Sequence, residues 1–183
     1  KIKKSFFHMF SSLKSKYSAE DKLYNKILSL SRNKIFYTDF GLSDTFQNRV
    51  NLIFFHFSFI NIKIKQNDFP NTYAPFFQNM FELIFSKIDQ NMREIGYGDT
   101  AVNKKMKFLV TTYYNILLKC ENYKKIGQNG KNSFFCYYLE QANKKNLSIN
   151  PLIIEYFNKY EAFCFDLRPD SVLKGDFNFN FNK

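Results

Sequence analysis

Apolar residues recur along this chain at three- and four-residue spacing, the period of helices packed on one side. Leu23, Tyr24, Ile27, Leu28 and Leu30 keep that spacing and predict a helix to about Lys34, opened by Ser18-Ala19-Glu20-Asp21 as a capping box. Residues 35–45 break the period. Gly41 can take a left-handed backbone there, and Ser43 and Asp44 can each cap the next helix. From Thr45 to about Lys65 the chain is apolar nearly all round, with Val50, Leu52, Phe54, Phe55, Phe57, Phe59 and Ile60 among its residues. That length and pattern predict a buried central helix. Residues 66–75 read as a loop with two prolines, and Pro75 suits the first turn of the next helix. Phe77, Met80, Phe81, Ile84, Ile88, Met92 and Ile95 then form a strict stripe, ended by Gly96 and Gly98. Asp99 or Thr100 opens another helix, striped by Val102, Met106, Leu109, Val110, Tyr113, Leu117 and Cys120, to about Tyr123. Residues 132–145 read as a shorter helix, and Asn150 caps one that has Pro151 at its first position and runs to about Tyr160. The tail from Arg168 is irregular and ends in alternating Phe and Asn.

The expectation is an all-α, single-domain helical bundle of about six helices with an irregular C-terminal tail. Residues 1–17 divide off as a basic amphipathic segment, 18–165 as the helical domain, and 166–183 as a tail packed on that domain or trailing from it. With 183 residues the chain is long enough to bury a core without metal or disulfide staples. Six Gly and four Pro are too few for the turns of an all-β sandwich. Aromatics at 20% rule out disorder over most of the length.

The net charge of +11 is uneven. Residues 1–34 hold nine basic and two acidic residues (+7), 35–100 hold five and seven (−2), and 101–183 hold thirteen and seven (+6). Basic ends suit RNA, ribosomes or anionic lipid, and equally suit solvated lysine faces with no partner. In the first 17 residues Ile2, Phe6, Met9, Phe10, Leu13 and Tyr17 recur at helical spacing between Lys3, Lys4, Lys14 and Lys16. Three readings fit: a membrane-surface helix, the remnant of a mitochondrial targeting segment, or a helix docked on the core, with docking or loose surface association favoured over insertion. No run reaches the roughly 20 apolar residues of a spanning helix.

Catalytic chemistry finds no support. The chain has no GxSxG, HExxH, P-loop or GxGxxG pattern. His56 lies on the central apolar helix and reads as a hydrogen-bonded core residue; neither it nor His8 has an acid at helical spacing to orient it. Cys120, Cys136 and Cys164 form no CxxC and no zinc-ligand spacing. They read as small buried hydrophobes in a reducing compartment. No catalytic residue, metal or cofactor is expected.

Two polar clusters stand out in apolar surroundings. The first runs from Asp39 to Thr45 with Arg49. Asp44 and Arg49 are five apart and face each other only loosely along a helix, so Asp44 reads as the cap, leaving Arg49 to reach a carboxylate elsewhere. The second holds Asp89, Arg93, Glu94, Gly96, Gly98, Asp99 and Lys104. Asp89 and Arg93 share a helix face, Glu94 does not, and Arg93 complements the helix C-terminus. Each cluster reads either as an interhelix corner or as a recognition surface.

These clusters carry a family resemblance. Phe36-Tyr37-Thr38-Asp39-Phe40-Gly41-Leu42-Ser43-Asp44-Thr45-Phe46, then Arg49, resembles the FYTELGVPDTFDGR stretch of the ubiquinol–cytochrome c chaperone family. Leu52 to Phe59 is similar to its LVLHLFL helix, and Phe85 to Asp99 to its F-x-x-MDxNLREMGVGD signature. Val102, Lys104, Met106 and Lys107 stand where it has VPKRMK, and Val172 to Phe177 is weakly similar to its closing Gly-containing segment. Asn48 replaces the Gly before Arg49, and Tyr113-Tyr114-Asn115-Ile116 replaces FYGR. The resemblance implies a non-enzymatic assembly chaperone for ubiquinol–cytochrome c reductase (complex III). It implies binding of newly made cytochrome b, with a small partner assembly factor and a place near the ribosomal tunnel exit. It also implies a location peripheral on the inner membrane, facing the mitochondrial matrix or the bacterial cytoplasm. The client or partner candidates are Asp44, Arg49, Arg93, Glu94, Asp99 and Lys104. The alternative is a basic ribosome- or RNA-binding helical module without client specificity. A small-molecule binder with an aromatic pocket ranks below both.

Overall fold

The structure is a computed structural model that describes residues 19–66, 70–143 and 148–181. The basic segment 1–17 and the cap expected at Ser18 lie outside the described residues. Six longer helices make the bundle: α1 (Ala19–Ser31), α3 (Phe46–Gln66), α4 (Pro70–Glu94), α5 (Asp99–Glu121), α6 (Gln128–Tyr138) and α7 (Pro151–Asp166). Two short helices, α2 (Ile35–Thr38) and α8 (Pro169–Leu173), and a 3-10 turn at Tyr123–Lys125 complete it. The described residues contain no β-strand, only an isolated bridge between Leu42 and Gln141. The fold is an all-α bundle, as the periodicity predicts.

Helix α3 is the axis. Every residue from Val50 to Asn61 is buried, so the all-round apolar pattern corresponds to all-round packing. It contacts α1, α4, α5, α7 and α8. Phe54 stacks on Phe85 of α4 and meets Tyr113 of α5 edge-on. On its other side Phe55 and Phe59 pack on Phe157 of α7. Phe46 lies near Lys105 and Lys65 pairs with Glu121, so α3 and α5 run parallel, with α4 as the antiparallel return.

Two of the polar residues buried on α3 have closely fitted partners. His56 is fully buried; its Nδ1 lies 2.6 Å from the Leu52 carbonyl and its Nε2 2.8 Å from the Tyr156 hydroxyl. The carbonyl can only accept, so Nδ1 carries the proton and Nε2 accepts from Tyr156. Asn48 is buried, and its Nδ2 donates to the carbonyls of Ser43 and Glu140, both at 2.7 Å. Its Oδ1 accepts from the Glu140 N–H at 2.9 Å. Asn48 thus ties the segment after α6 to the start of α3, at the position where the family pattern has Gly. Asn48→Ala strands these groups and is expected to lower unfolding free energy by about 2 kcal/mol. Urea denaturation checks this; an unchanged midpoint would show that the three bonds are dispensable.

Several element boundaries differ from the sequence pattern; α7, for one, runs on to Asp166, past the expected end near Tyr160. Helix α4 starts at Pro70, with Pro75 inside it, where the pattern predicts a loop to 75. Pro70 loses nothing, because the first four N–H groups have no intrahelical partner, whereas Pro75, one turn further in, forgoes one helix hydrogen bond that the rest of the 25-residue helix outweighs. Helix α6 spans Gln128–Tyr138 and not 132–145. It ends early because the backbone then turns extended: Glu140 accepts from the Ser43 N–H and Ala142 donates to the Gly41 carbonyl, both at 2.9 Å. The tail is not wholly irregular, since α8 forms within it. Beyond α8, Phe177 is buried, and Phe179 and Phe181 pack against Tyr156. Asn150 does cap α7, accepting from the Leu152 N–H at 3.0 Å, with Pro151 at the first position.

Candidate functional site

The first cluster sits where the backbone enters α3. Asp44 precedes the helix, so helical spacing does not govern its reach. Its two carboxylate oxygens accept from Arg49 Nε at 2.6 Å and from a terminal Arg49 nitrogen at 2.8 Å. This bidentate pair corrects the expectation that Asp44 caps the helix and leaves Arg49 for another carboxylate. The cap is Thr45, whose Oγ1 accepts from the Asn48 N–H at 3.2 Å. Hydrogen bonding to Arg49 lowers the Asp44 pKa below its ordinary value.

The second cluster is the corner between α4 and α5. Gly96 takes φ of 95°, its N–H bonds to the Arg93 carbonyl, and the Tyr97 N–H reaches back to the Met92 carbonyl. This closing motif needs a residue tolerant of a left-handed backbone, and it turns the chain directly into α5. Arg93 then spans the corner. Its Nε donates to Asp89 at 2.6 Å and another guanidinium nitrogen bonds Asp99. These two carboxylates raise the Arg93 pKa, Asp89 more than Asp99. Glu94 lies off this face and accepts from Gln90 at 2.9 Å. Lys104 is exposed and makes no ion pair with the described residues.

A neighbouring lysine joins the two clusters. The Lys105 ammonium lies 5.4 Å from the Phe46 ring centroid and 5.3 Å from that of Tyr97. Phe46 belongs to the α3 entrance and Tyr97 to the α4–α5 turn. The cation between two ring faces therefore holds the clusters side by side. Lys105 is not among the residues singled out in the sequence, although it stands where the VPKRMK pattern has a basic Arg. A second signal is its place three residues after buried Val102 and four before buried Leu109, at the edge of the buried stripe. Ile95 and Tyr97 add exposed apolar surface to the same corner.

The rest of the chain offers little chemistry. No group of three or more His, Cys, Asp or Glu among the described residues is arranged to hold a metal ion. Cys120 and Cys164 are buried, with their thiol pKa values pushed up by desolvation, and Cys136 is half-buried. A cavity of about 190 Å³ opens at the ends of α3, α5 and α7, not inside the aromatic core. Lys124 there is engaged by Glu161 and the Phe165 ring, and Lys63 by the Phe165 carbonyl. No helix among the described residues is long and apolar enough to cross a membrane.

Both clusters lie within residues 38–126, and this segment matches the family model described as ubiquinol-cytochrome C chaperone. Through that segment, just under half of its length, the chain is similar to the ubiquinol-cytochrome C chaperone family. The family segment runs from α2 through the 3-10 turn, and takes in α3, α4 and α5. Helices α1, α6, α7 and α8 surround it. The whole bundle is similar to the crystal structure of the Cbp3 homolog from Brucella abortus. That likeness has a TM-score of 0.69 at 18% identity and covers 99% of this chain and 97% of that one, so the fold is shared throughout. No curated protein matches the sequence.

Proposed function

We propose that this chain is a non-enzymatic assembly chaperone for ubiquinol–cytochrome c reductase, with newly made cytochrome b as its client. The observation that carries the reading is the joined corner inside the family segment. Arg49 with Asp44, and Arg93 with Asp89 and Asp99, present exposed charge beside Ile95 and Tyr97. Exposed ion pairs contribute little to folding. Their two-pronged geometry instead suits recognition, where polar groups set orientation around an apolar contact. Asp44, Arg49, Arg93, Glu94, Asp99 and Lys104 form this client- or partner-facing surface, and Lys105 positions its two halves.

The setting is the inner membrane surface, on the matrix or bacterial cytoplasmic side. A small partner assembly factor and the ribosome near its tunnel exit are further contacts, and the basic segment 1–17 is an accessory anchor. The test is Arg93→Ala combined with Asp99→Ala. Circular dichroism should report an intact fold, while cytochrome b recovered with the protein and assembled complex III both fall by about tenfold. Normal assembly with a folded double variant would remove this surface from the function.

The net charge of +11 favours one other reading, a basic ribosome- or RNA-binding module. Binding through phosphate contacts falls steeply with salt. Affinity purification from gently solubilised membranes at low and high salt separates the two. Cytochrome b retained at both salts supports the chaperone, and ribosomal proteins alone, lost at high salt, support the module.

A further inference from the structure

Helix α5 has two apolar sides, and the fold uses one. Val102, Leu109, Tyr113, Ile116 and Cys120 are buried in the core. On the opposite side Phe108 is 59% exposed, Leu118 60% and Tyr114 42%. Lys104, Lys107 and Lys119 are exposed on that flank. Three- and four-residue steps through Thr111 and Asn115 link these positions into one stripe. Residues 100–119 contain four lysines and no acid. From 104 to 119 the stripe is about 22 Å long, at 1.5 Å rise per residue.

The shape narrows what can cover it. These side chains stand on the convex ridge of a single helix, not in a groove between two. A protein segment gains affinity by filling a groove, whereas a soft planar surface accepts a ridge of separated apolar groups. The charge narrows it further, because lysines interleaved with aromatic and aliphatic tips, with no carboxylate among them, complement an anionic plane. We propose that the outer ridge of α5 docks on an anionic lipid bilayer. Phe108, Tyr114 and Leu118 enter the headgroup boundary, and Lys104, Lys107 and Lys119 lie against the lipid phosphates. Docking this way is separate from the segment 1–17 and shares only Lys104, at the end of the ridge, with the client-facing surface. It would bring the α4–α5 corner, at the N-terminal end of the ridge, to the bilayer surface.

The chain contains no Trp, so Leu118→Trp creates a single local reporter in this 183-residue chain. With phosphatidylcholine vesicles containing phosphatidylserine, its emission should shift to the blue and be quenched by brominated acyl chains. With pure phosphatidylcholine neither should occur. Tyr137→Trp replaces the most exposed aromatic of α6, away from the ridge, and should do neither with either vesicle. Adding Lys107→Gln and Lys119→Gln to the reporter variant should weaken partitioning by roughly tenfold or more, since each lysine near an anionic surface contributes about fivefold. Co-sedimentation with an unshifted Leu118→Trp would place membrane contact elsewhere on the chain and overturn the proposal. So would equal binding to neutral vesicles, or a shift that appears only when a protein partner is added.

Discussion

Gly175→Ala is expected to free the C-terminal tail and to lower the stability of the whole bundle. Gly175 has φ of +64°, and a Cβ placed there would lie 2.8 Å from the Leu23 nitrogen and 3.0 Å from the Lys22 carbonyl carbon. Both obstacles are backbone of α1, which no rotamer change can move. The left-handed backbone costs an L residue roughly 1–2 kcal/mol, and overpacking a close contact about 1–3 kcal/mol more. The tail would relieve the clash by lifting off, exposing Val172 and Phe177, both buried in the folded chain. Phe179 and Phe181 would then leave Tyr156, Tyr160 and Phe163 uncovered. Urea denaturation should show a clearly lower midpoint, and amide exchange should quicken beyond residue 172. Asn tolerates the left-handed backbone but still has a Cβ, so Gly175→Asn should be no better than Ala. Rescue by Asn would mean that backbone strain and not the contact with α1 is decisive.

The second large effect is a loss of stability in mild acid, carried by His56. Complete burial lowers its pKa from 6.5 to about 4, only partly opposed by the hydrogen bond to the Leu52 carbonyl. The unfolded chain takes up this proton near 6.5, and the folded chain only near 4. Stability from His56 is therefore full above pH 6.5 and is lost as pH falls through the interval towards 4. At about 1.4 kcal/mol per unit, the interval is worth roughly 3 kcal/mol. Unfolding free energy measured across this range should fall by that order in the native chain. His56→Gln should remove most of the slope while lowering stability at neutral pH. Asp44 does not confuse the result, because its pKa is shifted to below its ordinary 3.8. A variant with the same pH slope as the native chain would move the acid sensitivity to other groups.

Most of the architecture is legible in residue spacing, and the exceptions have physical causes. Helix α3 reads clearly because burial on every side demands apolar residues on every side. Helix α5 reads clearly from its inner stripe, but its outer apolar ridge adds residues off that stripe and blurs the period. The early start of α4 is hidden by its prolines, which local propensity assigns to a loop although Pro70 suits a helix start and Pro75 is carried inside the first turns. The early end of α6 depends on bonds from residues 140 and 142 to residues 43 and 41, almost 100 positions away, which no local pattern carries. At the site, the Asp89–Arg93 pair comes directly from i, i+4 spacing. The Asp44–Arg49 pair does not, because Asp44 approaches from the loop before the helix. Lys105 between Phe46 and Tyr97 depends on two helix entrances meeting, which only the assembled bundle decides.

The all-round burial of α3 also sets an order of events during synthesis. Helices α1, α4 and α5 can close around one part of it as they emerge. The side bearing Phe55, His56 and Phe59 is covered only in part by Phe36, Tyr123 and α6 until α7 delivers Tyr156, Phe157 and Tyr160, about 100 residues later. A nascent chain that stops short of α7 therefore carries an open aromatic seam. Until α7 is made, the growing chain carries the kind of unfinished apolar surface that attracts chaperones.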